Sequence, residues 1–300
     1  MKPGTFSITR LVAGAGVALT AAAVSAHAAA ADLIGQPTDR ALDFQPGVTK
    51  LRLDAMWFHT WILLPVLFGI SFLVLGLLLW CIVRYNAKAN PTPARFTHNT
   101  TVEVLWTVGP VLILLFIAIL SFRLLFEYHD MPKPDLTVKA TGYQWYWGYA
   151  YPDQKIDEFT SNILPEDKAR AAGVPYMLAS TAPMVVPAGK LVHVLVEGAD
   201  VIHSFSVPAF GIKIDAVPGR TNDTWFKANQ TGTFYGQCSQ LCGMDHSFMP
   251  IEVKVVSPAD FAAWVASKQP RPAAAPAAPP TPTPTPVAAA APTPAAPAKS

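Results

Sequence analysis

The sequence predicts a two-helix transmembrane hairpin followed by an all-β sandwich or barrel domain. Three observations carry this expectation. Residues 61–83 and 104–122 are two nearly unbroken apolar runs, each long enough to cross roughly 30 Å of hydrocarbon as a helix. From residue 132 to 256 the chain changes to short β-branched and aromatic stretches bounded by Gly, Pro and Asn, which is strand patterning. The composition is 51% hydrophobic and only 14% charged, more apolar than an ordinary soluble domain. A formal net charge of +2 gives no basis for nucleic-acid binding. Neither a phosphate-binding glycine loop nor a Ser-His-Asp set is evident.

Taken in order, residues 1–30 read as an export signal. Lys2 and Arg10 precede an apolar run at 11–24, and Ala26-His27-Ala28 offers small residues for cleavage near Ala28 or Ala30. The run is rich in Ala and Gly and too short to span a bilayer. The chain is therefore expected in a bacterial cytoplasmic (inner) membrane, with its bulk in the periplasm. Residues 31–56 form a periplasmic segment, 57–84 the first span, 85–101 a cytoplasmic loop and 102–127 the second span. The connection carries Arg84, Lys88 and Arg95 and no acid, so the positive-inside rule places it in the cytoplasm. Trp57, Trp61 and Trp80 flank the first apolar run, where aromatic rings favour the interface.

In the β domain, 132–256, Val192, Val194 and Val196 share one strand face by the period of two. Several short strands and no long helix indicate antiparallel sheets. The stretch "PADFAAWVASK" gives a short helix within 257–268. Residues 269–300 are almost wholly Pro, Ala and Thr, unable to offset their conformational entropy by burial, and read as a disordered tail.

The chemistry concentrates in "GQCSQLCGMDHSFMPIEV", residues 236–253. The chain has three cysteines in all. Two of them, Cys238 and Cys242, are four apart, with His246 four further on and Met249 three beyond that. A disulfide suits an oxidising compartment but leaves His246 and Met249 without a role. Zinc suits two Cys and two His, whereas a thioether favours copper. His203, in "ADVIHSFSVP", is a second imidazole from a distant strand. One thiolate suffices for a mononuclear blue copper. Two can bridge a pair of coppers, each capped by one histidine, with Met249 and a backbone carbonyl as weak outer ligands. Cys81 lies in the first span and reads as a small buried apolar residue.

These motifs resemble subunit II of the haem-copper cytochrome c oxidases. "YGQCSQLCGMDHSFMPIEV" matches the metal loop, with "DVIHSF" upstream and "IDAVPGR" between them. "TGYQWYWGYAY" resembles the aromatic segment, and "HNTTVEVLWTVGP" the start of the second span. The resemblance covers about residues 40–256. It implies a cupredoxin-like β domain and a proton-translocating cytochrome-c oxidase, of which this chain is the electron-input subunit. It implies a dinuclear copper centre held by His203, Cys238, Cys242, His246, Met249 and the backbone carbonyl of Gln240. Trp145 matches the residue that takes electrons from cytochrome c, and Glu103 the mouth of a proton channel. From sequence alone, Glu103 reads equally well as a helix-terminal carboxylate. The partners implied are cytochrome c, the haem-bearing subunit I and subunit III. Oxygen is reduced in subunit I, not here.

Two departures stand out. The family usually has Glu where this chain has Gln240, and that carboxylate helps hold magnesium against subunit I, so only weak magnesium is expected. An acid common after the "QWYW" segment is Ala150 here, leaving Asp153, Asp157, Glu158 and Asp200 as candidate docking acids. The competing reading is a membrane-anchored periplasmic copper carrier, which has no need of Trp145 or Glu103. A quinol oxidase subunit would lack the copper ligands, and a nitrous oxide reductase would lack the two-span anchor.

Overall fold

A computed structural model describes residues 34–269. The expected signal peptide and the tail beyond Gln269 lie outside the described residues. The first long helix, α1, runs Lys50–Arg84, starting seven residues before the predicted span at 57. Thr49 sets that start: its hydroxyl accepts from Arg52 N at 3.1 Å and donates to Phe210 O at 2.7 Å. This caps the helix and ties it to the β domain. A five-residue π turn, His59–Leu63, interrupts α1. The second long helix, α2, runs Thr100–His129 and continues through Pro110. Asn99 Oδ1 accepts from Val102 N at 3.2 Å, and Glu103 Oε1 accepts from Asn99 N at 3.3 Å. Both helices have the length and hydropathy of membrane spans, and their apolar windows are unburied within this chain. Such surface is stable only against lipid or other subunits.

The hairpin is fastened to the β domain by side chains at its end. Tyr128 Oη donates to Gly211 O at 3.0 Å, and Trp225 Nε1 donates to Tyr128 O at 3.0 Å.

The strands are β1 (Leu136–Tyr143), β2 (Tyr146–Tyr151), β3 (Ile156–Ser161), β4 (Met184–Pro187), β5 (Val192–Gly198), β6 (His203–Val207), β7 (Ile212–Ala216), β8 (Asn222–Phe226), β9 (Gly232–Cys238) and β10 (Pro250–Val256). A short helix, α3 (Glu166–Ala172), lies between β3 and β4, and α4 (Pro258–Lys268) follows β10. One sheet has the order β3-β2-β1-β5-β8, the other β4-β10-β9-β6-β7. The sandwich is not purely antiparallel as predicted: β1 with β5 and β10 with β4 are parallel. The chain changes sheets between these partners, and crossover rather than a tight hairpin is what permits parallel pairing.

Val192, Val194 and Val196 are fully buried, together with Trp147, Tyr149, Phe205 and Phe226. Phe210 stacks on Phe226 at 4.4 Å between centroids. Helix α4 seals one side of the sandwich, with Trp264 edge-on to Tyr151 at 4.9 Å.

Candidate metal centre

Strand register builds the site. In the second sheet β6, β9 and β10 are neighbours, with Phe205 opposite Cys238 and Pro250 opposite Gln237. The start of β6, the end of β9 and the start of β10 therefore meet at one end of the sandwich. His203 opens β6, Cys238 closes β9 and Met249 immediately precedes β10. The loop between β9 and β10 brings in Cys242 and His246.

The donors converge. One ring nitrogen of His203 and the sulfurs of Cys238 and Cys242 lie within 4.8 Å of one another. The two sulfurs are 4.0 Å apart, well beyond the S–S bond length of about 2.05 Å, and both are free thiols. Cys242 Sγ is 3.5 Å from His246 Nδ1 and 3.5 Å from Met249 Sδ. Cys238 Sγ lies 3.3 Å from the carbonyl oxygen of Gln240. All six positions singled out from the sequence thus fall in one connected cluster. Cys238, Cys242, Met249 and His203 are buried, whereas His246 is half-buried.

His203 shows that this point suits a metal. It is fully buried, its Nε2 contacts Asp200 Oδ1 at 2.8 Å, and its Nδ1 has no hydrogen-bond partner. A buried ring nitrogen without a partner is costly unless it ligates something, and a carboxylate behind a ligand histidine is a common arrangement for orienting it. Gly142 of β1 leaves room for the ring, since a Cβ there would lie 2.9 Å from His203 Cγ. The soft donors, two thiols and a thioether beside two imidazoles, fit copper.

Electrostatics agree with that fit. Burial resists ionisation of Cys238, but His203 and the backbone at Gln240 and Ser204 outweigh it and bring the thiol down to about 7. Burial and the charge on Cys238 push Cys242 up to about 12. The site sheds one proton readily and holds the second until a cation replaces it. For His203, burial disfavours the cation, but Cys238 and Asp200 prevail and raise its pKa.

Trp145 is half-buried in the turn between β1 and β2. Its Nε1 donates to Cys242 O at 3.3 Å, and Gln144 Nε2 donates to the same oxygen at 2.8 Å. Trp147 is fully buried, with its Nε1 donating to Met249 O at 3.3 Å. Each tryptophan thus grips the main chain of one sulfur-bearing residue. Gly243 makes room for the first: a Cβ there would lie 2.9 Å from Trp145 Cζ2. Glu103 stands apart at the far end of α2, and Gln240 exposes its side chain.

Among the candidate docking acids, Asp200 is exposed but already engaged. Besides His203, its oxygens accept from Gln144 N at 2.7 Å and Val201 N at 2.6 Å. It also positions the candidate ligand His203. The signal was present in the sequence, as an acid three residues before a candidate ligand histidine. Asp153 accepts from Thr137 N, and Glu158 from the hydroxyls of Thr141 and Tyr143. Of the four, Asp157 remains exposed and unclaimed.

The family described as cytochrome c oxidase subunit II, periplasmic domain, matches residues 136–256, and the transmembrane domain of the same subunit matches residues 37–124. The chain is 42% identical over 276 residues to cytochrome c oxidase subunit 2 of Cereibacter sphaeroides, covering 86% of this chain and 90% of that one. It is 44% identical over 233 residues to the probable cytochrome c oxidase subunit 2 of Rickettsia bellii, covering 78% and 86% respectively. The crystal structure of the periplasmic domain of subunit II of cytochrome oxidase of Bradyrhizobium japonicum is 57% identical. It covers 46% of this chain and 96% of that one, at a TM-score of 0.43.

Proposed function

The chain belongs to the cytochrome c oxidase subunit II family, and from that premise we propose that it takes electrons from cytochrome c at a dinuclear copper centre. It is a membrane protein and a subunit of a haem-copper oxidase, working with the other subunits of that complex. The finer reading places the β domain in the periplasm of a bacterial inner membrane and sends the electrons on to haem in subunit I. Subunit III completes the assembly.

His203, Cys238, Cys242, His246, Met249 and the carbonyl of Gln240 would hold the two coppers. When bound, the pair supplies a one-electron site whose charge change is shared over two metals, which keeps reorganisation small. The remaining roles belong to the protein. Asp200 fixes the His203 ring through Nε2, leaving Nδ1 to the metal. Trp147 and Phe205 meet edge-to-face at 5.4 Å, a rigid apolar wall that excludes water from behind the site. Trp145 links the protein surface to Cys242 through one hydrogen bond. That is a short path for an electron arriving at the aromatic segment. Glu103 would admit protons at the opposite membrane face, toward subunit I.

The observation that carries this reading is the buried cluster of His203, Cys238 and Cys242, whose sulfurs also contact His246, Met249 and the Gln240 carbonyl, with His203 Nδ1 left without a partner. The carrier alternative gains no such support, because Trp145 and Asp200 build a fixed site rather than one open to exchange. The test is the oxidase purified from membranes. The expected result is two coppers per copy of this chain and, in the half-reduced state, a spin-resonance pattern of one electron shared over both nuclei. One copper with a blue mononuclear spectrum, or zinc at full occupancy, would overturn the reading.

A further inference from the structure

Away from the metal centre, a cavity of about 400 Å³ opens between the two membrane helices at the ends nearer the β domain. Its polar walls are Lys50 and Asp54 from α1 and Arg123 and Glu127 from α2, and its apolar walls include Trp57 and Leu120.

The depth of this cavity follows from the charge pattern. No charged residue lies at 104–122, between Glu103 and Arg123. Those 19 residues rise about 28 Å as a helix, close to the hydrocarbon thickness of a bilayer. Arg123 therefore stands at the boundary between acyl chains and headgroups. On α1, Asp54 is the last charged residue before Arg84, and Trp57 is exposed one turn further on, as befits an interfacial ring.

The charges within the cavity are unevenly satisfied. Lys50 Nζ contacts both Asp54 and Glu127, so two carboxylates share one ammonium and one negative charge is left over. Arg123 is exposed and makes no ion pair among the described residues, although Glu127 lies one turn away on the same helix. A positive point and a net negative cluster thus face one small space at headgroup depth, above apolar walls.

We propose that this cavity binds the headgroup of a zwitterionic phospholipid with a primary amine, of the phosphatidylethanolamine type. The phosphate pairs with the Arg123 guanidinium. The ammonium adds to the acidic cluster, whose carboxylates already converge on one primary ammonium, that of Lys50. The acyl chains follow Trp57 and Leu120 into the membrane. An anionic glycerol headgroup leaves the acidic cluster uncompensated, and a trimethylammonium offers those carboxylates no N–H donor. The proposal is independent of the metal centre.

The test is lipid counting by mass spectrometry on the oxidase complex, washed extensively in mild detergent. Native complex is expected to retain phosphatidylethanolamine at this site. Arg123→Gln should lower that retention about tenfold, the loss of one charge-assisted contact, with the copper content per chain unchanged. Equal retention in both complexes would overturn the proposal, as would retention of phosphatidylglycerol in its place. Efficient cross-linking of Arg123→Cys to another subunit would also overturn it, because protein would then cover the cavity. If Arg123→Gln does not assemble, the full native chain in detergent can be titrated with phosphatidylethanolamine, phosphatidylcholine and phosphatidylglycerol. Preference for the first supports the proposal, and equal binding of all three refutes it.

Discussion

Asp200→Asn is the sharpest probe of how the protein shapes the metal centre. The native carboxylate receives three donors at 2.6–2.8 Å: Val201 N, Gln144 N and His203 Nε2. Asparagine keeps one acceptor oxygen and turns an NH₂ toward donors that need acceptors. At least one of the three contacts is lost, and the negative charge behind His203 disappears. A hydrogen bond to a charged group contributes about 1.5–3 kcal/mol. Removing a group that orients a metal ligand typically costs about 10–100-fold in affinity, which corresponds to about 1.4–2.7 kcal/mol. The two estimates agree. Chelator competition on the purified complex should therefore strip copper from the variant at about 10–100-fold lower chelator concentration than from the native protein. Asp157→Asn, at an exposed carboxylate, is the control and should leave that midpoint in place. A midpoint within about twofold of native would show that packing against Gly142 and Trp147, not Asp200, holds His203, and the reasoning would fail.

Trp145→Phe removes the donor to Cys242 O while keeping an aromatic ring. Stopped-flow reduction by cytochrome c should slow while the copper spectrum stays nearly native, and loss of that spectrum would instead make Trp145 structural. Glu103→Ala should lower turnover by slowing proton uptake while reduction of the copper site stays fast. It also deletes the contact from Asn99 N, a cap-type loss of about 0.5–2 kcal/mol, and normal turnover with poor assembly would leave Glu103 a helix cap alone. Gln240→Glu should raise manganese occupancy in cells grown with that metal, because hard cations favour carboxylate donors. The copper spectrum should not change, since only the carbonyl of residue 240 faces Cys238. Stoichiometric manganese in the native protein would refute this.

The membrane helices were legible because hydropathy reports directly on residues that must lie in hydrocarbon. The first two turns of α1 were not. Lys50, Arg52 and Asp54 look like loop to a hydropathy reading, yet Leu51 is 2% exposed and Tyr128 and Thr49 bind this stretch to the β domain. These are long-range contacts that no local window contains. The parallel pairings escaped for the same reason: alternation along β5 shows which face is buried but not which strand lies beside it. The burial of Val192, Val194 and Val196 needed only the period of two.

The candidate metal ligands stood out because four of the five side-chain donors fall within twelve residues, and soft donors that close have few other uses. What the sequence left hidden is the frame around them. Gly142, Gly243, Asp200 and Trp147 belong to three separate stretches of chain, and none is unusual in its own context. Together they fix one imidazole and two backbone carbonyls. Gly142 admits the His203 ring, Asp200 orients it, Gly243 lets Trp145 approach, and the two tryptophans bind the carbonyls of Cys242 and Met249. An electron-transfer site works by changing little between its two oxidation states, so rigidity is a functional property here. The hydrogen bonds that supply it come from β2, from the turn before it and from the loop before β6, elements that contribute none of the candidate ligands. That is why a scan for ligands finds the candidate metal centre and misses the device that holds it still.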